Sequence, residues 1–411
     1  MIASRSVLAA WIAALALPWI APQTAHAESP RFELIYTQPA ETELAQPLRA
    51  PGPVWAEAFA GAAKSIDIEQ FYLAEQPGEA LDAVLAALEK AARRGVTVRV
   101  LVDDKMRKQS QLTLDRLAAW PNTQVRVVDW AKLPTGNLRA PGGIIHAKFW
   151  IVDGKIAYLG SQNFDWRSLS HIHELGVLVR DLSISGQIQA VFDHDWAATG
   201  LQAKGEPAPP LQPQLRQIAD RSQPGYLLAS PPERLPPGVG CSEDELVQLI
   251  GKAKKSLSIQ VMKYEPLDHH KRYYAPIETA LRSAAARGVR IELLVSDWNS
   301  DAPGIRWLQS LSLVPGVSVR MASLPQAKRG FIAFARVIHS KYMIIDETTL
   351  WIGTSNWQGG YLDESRNLEL VLQLPELAAQ AQALFAQLWN SSYAKPLNPT
   401  AEYPRVRRDK P

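Results

Sequence analysis

Cysteine is almost missing from this chain. Cys241 stands alone among 411 residues, so no disulfide can close within it and no cysteine cluster can hold a metal. A surplus of charge is missing as well. Lys plus Arg number 44 against 41 Asp plus Glu, a formal +3, which argues against a general polyanion binder and leaves any taste for anions to local placement. Long apolar runs are also lacking. Only Val7–Ile20 stands out, with Arg5 before it and Ala25-His26-Ala27 after it, and its 14 residues are short for a bilayer span. The segment reads as an export signal over residues 1–27, with the mature chain expected in a periplasm or outside the cell.

What is present is repetition. His146-Ala147-Lys148 with Asp153 returns as His339-Ser340-Lys341 with Asp346; both read H-x-K-x4-D and lie 193 residues apart. The same offset carries Gly160 onto Gly353, Asn163 onto Asn356 and Arg94-Gly95 onto Arg287-Gly288. The chain therefore reads as a duplicated unit. A polar lead (28–53) precedes a first half (54–202), and a Pro-rich linker (203–221) joins it to a second half (222–393) with a tail (394–411). Residues 203–240 hold nine prolines, the composition of a connection. In each half, strand signals alternate with Ala/Leu-rich helices: Glu79–Arg94 before Val96–Val102, then Ile277–Arg287 before Val289–Val295. That alternation predicts an α/β layered fold.

The motifs sit at apolar strands, Phe149-Trp150-Ile151-Val152 and Tyr342-Met343-Ile344-Ile345. On a strand, positions i and i+2 share a face, so His146 emerges beside Lys148 and His339 beside Lys341. If the halves dock about a pseudo-twofold axis, two imidazoles and two ammonium groups meet in one pocket. Such a pocket suits a phosphodiester: one imidazole attacks phosphorus, the other protonates the leaving alkoxide, and the cations hold the non-bridging oxygens. Asn163 and Asn356 add amides, and Ser161 and Ser355 (or Thr354) add hydroxyls. Glu174 and Glu369 follow the two asparagines and are the candidate carboxylates that fix the histidine tautomers. Asp153 and Asp346, at odd spacing from the lysines, are expected to be structural.

These residues carry a resemblance. The doubled H-x-K-x4-D, each followed by Gly160-Ser161-Gln162-Asn163 or Gly353-Thr354-Ser355-Asn356, resembles the phospholipase D superfamily. Asn163-Phe164-Asp165-Trp166-Arg167-Ser168-Leu169, with Ile352 to Trp357, is similar to its phospholipase D3/D4 branch. The resemblance implies two α-β-α sandwich domains with one active site at their interface, and a phosphohistidine intermediate without metal or cofactor. It favours His146 as nucleophile and His339 as acid. The substrate it implies is single-stranded DNA or RNA attacked from the 5′ end. The alternative is a glycerophospholipid, hydrolysed or transferred at its head group, with peripheral membrane contact.

Other residues have plainer readings beside functional ones. His171 and His173 are either substrate contacts or loop residues, and His269-His270 heads a basic loop. Trp166, Trp298, Trp357, Tyr264 and Tyr361 either stack bases or line an acyl groove, or else pack the core.

Overall fold

In the computed structural model, residues 29–133, 143–203, 221 and 223–410 are described. The expected export signal, and all but the end residues of the Pro-rich linker, lie outside them.

The apolar runs around the motifs become strands covered on both faces, which is why they show no polar alternation. The first sheet runs Phe32–Thr37, Glu174–Val179, Ile156–Gly160, Lys148–Val152, Ser65–Gln70, Thr97–Asp103, Thr123–Val128. The second repeats that order with Gly225–Ser230, Asn367–Leu372, Thr349–Gly353, Tyr342–Ile345, Ser256–Val261, Arg290–Ser296 and Val317–Ala322. It adds Gly240–Cys241 at one edge and Ala394–Pro396 at the other. Within each sheet, the strand pairs that lie parallel need crossovers, and helices such as Leu81–Arg93 and Ala275–Ala286 supply them.

The repeated Arg-Gly pair has a local cause. Gly95 (φ +100°) and Gly288 (φ +88°) end those two helices in the left-handed region. The N–H groups of Val96 and Val289 then bond back to Ala91 and Ala284, each at 3.1 Å. Arg94 and Arg287 reach the carbonyls of Ala60 (2.9 Å) and Ile250 (3.1 Å), tying each crossover helix to the one before it.

Packing gives five layers. Trp55, Phe59, Leu85 and Leu88 cover the outer face of the first sheet at Ile68 and Trp150. Leu246, Ile250 and Leu281 do the same for the second sheet at Ile259 and Met343. Between the sheets a single core joins Phe149 and Val177 to Ile344 and Leu370 through Phe192 and Phe385. Those two phenylalanines come from the helices Leu182–Ala203 and Pro375–Asn390. The two α-β-α sandwiches thus share their middle helices, inside one unit spanning Arg31–Pro411.

Two boundaries differ from the sequence reading. Residues 28–53 are no detached lead, because Phe32–Thr37 is the edge strand of the first sheet, antiparallel to Glu174–Val179. The first-half helix then starts at Pro51, where a first-turn proline forfeits no helical hydrogen bond. The tail at 394–411 likewise opens as an edge strand on Val317–Ala322, with Pro396 tolerated because nothing pairs beyond it. Among the described residues, no helix is long and apolar enough to cross a membrane.

Candidate active site

His146 and His339 stand just ahead of the strands Lys148–Val152 and Tyr342–Ile345. Each is stapled to the other half by its backbone: His146 N–H donates to the Arg366 carbonyl and His339 N–H to the His173 carbonyl, both at 2.9 Å. The side chains cross in the same way. His146 Nδ1 lies 3.0 Å from Asn367 Oδ1, and His339 Nδ1 lies 2.9 Å from Glu174 Oε2. Each imidazole is therefore oriented by a residue that the partner half supplies.

Those contacts correct the pairing of Glu174 with Glu369. Strand register matches Gly160 to Gly176 and Gly353 to Glu369, so Glu369 corresponds to Gly176, and Glu174 to Asn367. Glu369 touches neither imidazole. It accepts from Ser242 and Ser355 in the second-half interior, which removes Ser355 from the phosphate-binding set as well. In the first half that space belongs to Tyr158, whose hydroxyl meets Gln162 and would collide with any Cβ at residue 176. Ser161 has Thr354 as its counterpart. Ser161 bonds the Leu175 backbone at 3.1 Å and lies beside Glu174, while Thr354 donates to Asn367 Oδ1 at 2.8 Å. Both hydroxyls steady the residues that hold the imidazoles.

Lys148 and Lys341 are fully buried. Burial pulls both imidazoles well below the ordinary histidine value, and each lysine pulls both of them further. His339 also depresses His146. Four groups that feel one another in a dry interior share one site. Burial brings Lys341 down to about 7 against the pull of Glu174, and pushes Glu174 up to about 8 against Lys341 and the hydroxyls of Ser161 and Ser168. Lys148 donates to the His146 carbonyl. Lys341 Nζ has no partner among the described residues, a donor left for a ligand oxygen. Asn163 and Asn356 are buried on the turns beyond each motif, with Asn356 beside Tyr361.

Asp153 and Asp346 lie outside the pocket. Asp153 accepts from the N–H groups of Ala63, Lys64 and Ser65 at 2.7–2.9 Å, and Asp346 from those of Lys254, Lys255 and Ser256 at 2.7–3.2 Å. Each carboxylate satisfies the turn that opens the inner strand beside its motif strand.

The remaining candidates separate. His173 is fully buried between Ser340 (3.2 Å) and Gln260 (3.1 Å), with its ring on Tyr36, which makes it a packing residue. Tyr264 and Trp357 belong to the second-half core. Tyr361 does reach the site, its ring centre 4.9 Å from that of His146, with His269 tilted beyond it at 5.5 Å. Phe71 flanks His146 at 5.4 Å and carries Lys148 Nζ over its ring. Sequence reasoning singled out neither Phe71 nor Asn367, although the 193-residue offset carries Glu174 onto Asn367. Among the described residues, no group of three or more His, Cys, Asp or Glu is placed to hold a metal ion.

Comparison with known proteins agrees with this geometry. The family model described as cardiolipin synthase, PLD-like domain, matches twice, over residues 56–196 and 246–389. The bovine protein named 5'-3' exonuclease PLD3 is 32% identical over 385 residues, covering 85% of this chain and 76% of that one. Phospholipase D Z of Dictyostelium discoideum is 32% identical over 368 residues, covering 84% and 85%. In fold, phosphatidylserine synthase of Haemophilus influenzae superimposes with a TM-score of 0.59 at 12% identity, over 84% of this chain and 85% of that one. Polyphosphate kinase of Porphyromonas gingivalis gives 0.55 at 16% identity, with 90% of this chain spanning 49% of its length. Since one domain model fits both halves, and nearly a third of the residues are shared along most of the length, the chain belongs to the phospholipase D superfamily, on the branch that holds PLD3.

Proposed function

We propose that this chain is an exported phosphodiesterase that degrades single-stranded nucleic acid from the 5′ end through a phosphohistidine on His146. The observation that carries the reading is the crossed anchoring of two imidazoles beside two buried lysines. Asn367 Nδ2 donates to the Tyr361 carbonyl at 2.8 Å, so its Oδ1 faces His146 and Thr354. An accepting oxygen there places the His146 proton on Nδ1 and leaves the Nε2 lone pair for phosphorus. Burial and both lysines keep that ring neutral. His339 faces Glu174 instead, whose carboxyl burial pushes up to about 8 while the ring is pulled down, so the leaving group's proton is held by this hydrogen-bonded pair.

His146 Nε2 attacks phosphorus, the bond to the leaving alkoxide breaks, and His339 gives that alkoxide its proton. A water, deprotonated by His339, then attacks phosphorus, breaks the P–N bond and releases the phosphate monoester. Lys148 and Lys341 stabilise the pentacovalent state. Proton transfer of this kind contributes about 10²–10⁴ in rate.

The rim around His146, built from Phe71, Tyr361 and His269 with the exposed Lys105 near His269, is aromatic and basic, as a single-strand path requires. The name of the PLD3 relative supports the same substrate. The equal identity of Phospholipase D Z supports a second reading, head-group hydrolysis or transfer on a phospholipid with peripheral membrane contact. Export rests on the N-terminal pattern and is checked by N-terminal sequencing of protein recovered outside the cytoplasm.

One assay separates the readings: a 5′-hydroxyl oligonucleotide and phosphatidylcholine, each in EDTA, with wild type and His146→Ala. Stepwise shortening of the oligonucleotide by wild type alone is expected. Turnover of phosphatidylcholine only, or loss of turnover restored by a divalent ion, would overturn the proposal.

A further inference from the structure

Beyond the imidazole pocket, a cleft of about 330 Å³ opens in the surface, lined by Gln76, Glu79, Trp166, Arg329, Phe331 and Ile332 among others. Two of its three wall segments lead to the chemistry, and the third carries Gln76 and Glu79. Trp166 follows Asn163 by three residues, and Phe331–Ile332 opens the run that ends in His339. Ile332 ties the cleft to the small apolar cluster of Ile172, Ile332, Ala335 and Val337, and Val337 accepts the His173 N–H at 3.0 Å, two residues before His339. The cleft thus rests on the platform that positions the acid histidine.

Its chemistry is specific. The Trp166 ring is half-buried, its edge on His171 at 5.5 Å and its face under the Arg329 guanidinium at 4.9 Å. Glu79 holds Arg329 there by an ion pair at 2.5 Å. Phe331 adds a second ring, and the exposed Gln76 offers an amide that can both donate and accept. Planar groups, one cation and one amide around space for a single nucleoside match a base with its phosphate; an acyl chain would leave Arg329 and Glu79 without purpose.

The equivalent position in the second half is packed shut. The residue 193 beyond Trp166 is Gly359, and a Cβ there would meet Asp268 and Tyr274 at 2.9 Å. Gly360 is covered by the His269 ring in the same way. The chain fills on one side what it leaves open on the other.

We infer that this cleft is a nucleoside subsite, in which Trp166, Phe331 and Arg329 stack one base of the strand and Arg329 meets its phosphate. The inference rests on the nucleic-acid reading above. The test compares wild type with Trp166→Leu and Arg329→Ala on three substrates: an oligonucleotide, the same oligonucleotide with single abasic positions, and bis(p-nitrophenyl) phosphate, which has no base. Arg329 is an exposed side chain, so its variant guards against a folding defect at the partly buried Trp166. In both variants KM for the intact oligonucleotide should rise about tenfold, the scale of one lost base stack. That loss should exceed the loss on the base-free diester by a similar factor. One abasic position should produce the same rise in wild type and no further rise in Trp166→Leu. Unchanged KM, or equal losses with and without a base, would overturn the subsite alone. Turnover of bis(p-nitrophenyl) phosphate with no oligonucleotide turnover by wild type would overturn the reading beneath it.

Discussion

The two halves frame their histidines alike and partner them differently. In both, the motif N–H bonds a carbonyl from the opposite half, the ring Nδ1 meets the next residue, and a Ser or Thr hydroxyl braces that residue. The partner is an amide for His146 and a carboxylate for His339. Beneath the frames the contrast continues. Behind His339 lies the neutral set of His173, Gln260 and Ser340, whereas behind His146 the buried Arg366 pairs with Asp195 at 2.6 Å. Duplication supplied two equivalent positions for a ring, and divergence at residues 174 and 367 gave one an amide partner and the other a carboxyl, the difference on which the proposed division into nucleophile and acid rests.

The largest effects test that division directly. His146→Ala should lose at least about 10⁴-fold in turnover on every diester. His339→Ala should lose about 10²–10⁴-fold on an oligonucleotide, yet still release a burst of one p-nitrophenolate per enzyme from an activated ester, whose leaving group needs no proton. Rapid-quench kinetics read both, and identical behaviour of the two variants would erase the distinction.

Next come the partners. Glu174→Gln removes the titrating group that shares a proton with His339, so the working acid loses its proton at lower pH and the alkaline limb of the rate profile moves down. The loss of turnover is expected at about 10–100-fold. Asn367→Asp does the reverse for the other ring. A carboxylate raises the His146 value, the acid limb moves up, and activity near neutrality falls about tenfold. A pH–rate profile in which either variant shifts the opposite limb would contradict the role given to it.

The smallest effect on catalysis belongs to Glu369, which the sequence placed in the site and the structure places in the interior. Burial raises it to about 7, with Ser242 and Ser355 opposing. The unfolded chain gives up that proton near 4.5 while the folded chain keeps it, so this residue's contribution to stability falls as pH rises from about 4.5 to about 7. Over that window the change amounts to about 3 kcal/mol. Glu369→Gln should flatten this part of the stability curve in urea titrations and leave the pH–rate profile where it was.

The legible part of the site was the part written locally. H-x-K on an apolar strand names its own geometry, and a 193-residue repeat of it announces two halves and a shared pocket. The ring partners were hidden because they act 221 and 165 residues away, in the opposite half. Matching glutamate to glutamate overrode the constant offset, which by itself joins Glu174 to Asn367. The edge strand Phe32–Thr37 was obscured in a similar way, because its neighbours Pro30 and Pro39 read as a loop while the strand gains its register only from Glu174–Val179. Layer order followed from alternation of helix and strand, but the sharing of Leu182–Ala203 and Pro375–Asn390 between sheets depends on packing that no single half encodes.

The most direct test of the central claim is acid quenching of His146→Ala, His339→Ala and wild type during turnover of a substrate labelled at phosphorus, followed by peptide mapping. Label on His146 in wild type and in His339→Ala, and none in His146→Ala, is the result this asymmetry requires. Label on His339 that survives in His146→Ala would contradict it.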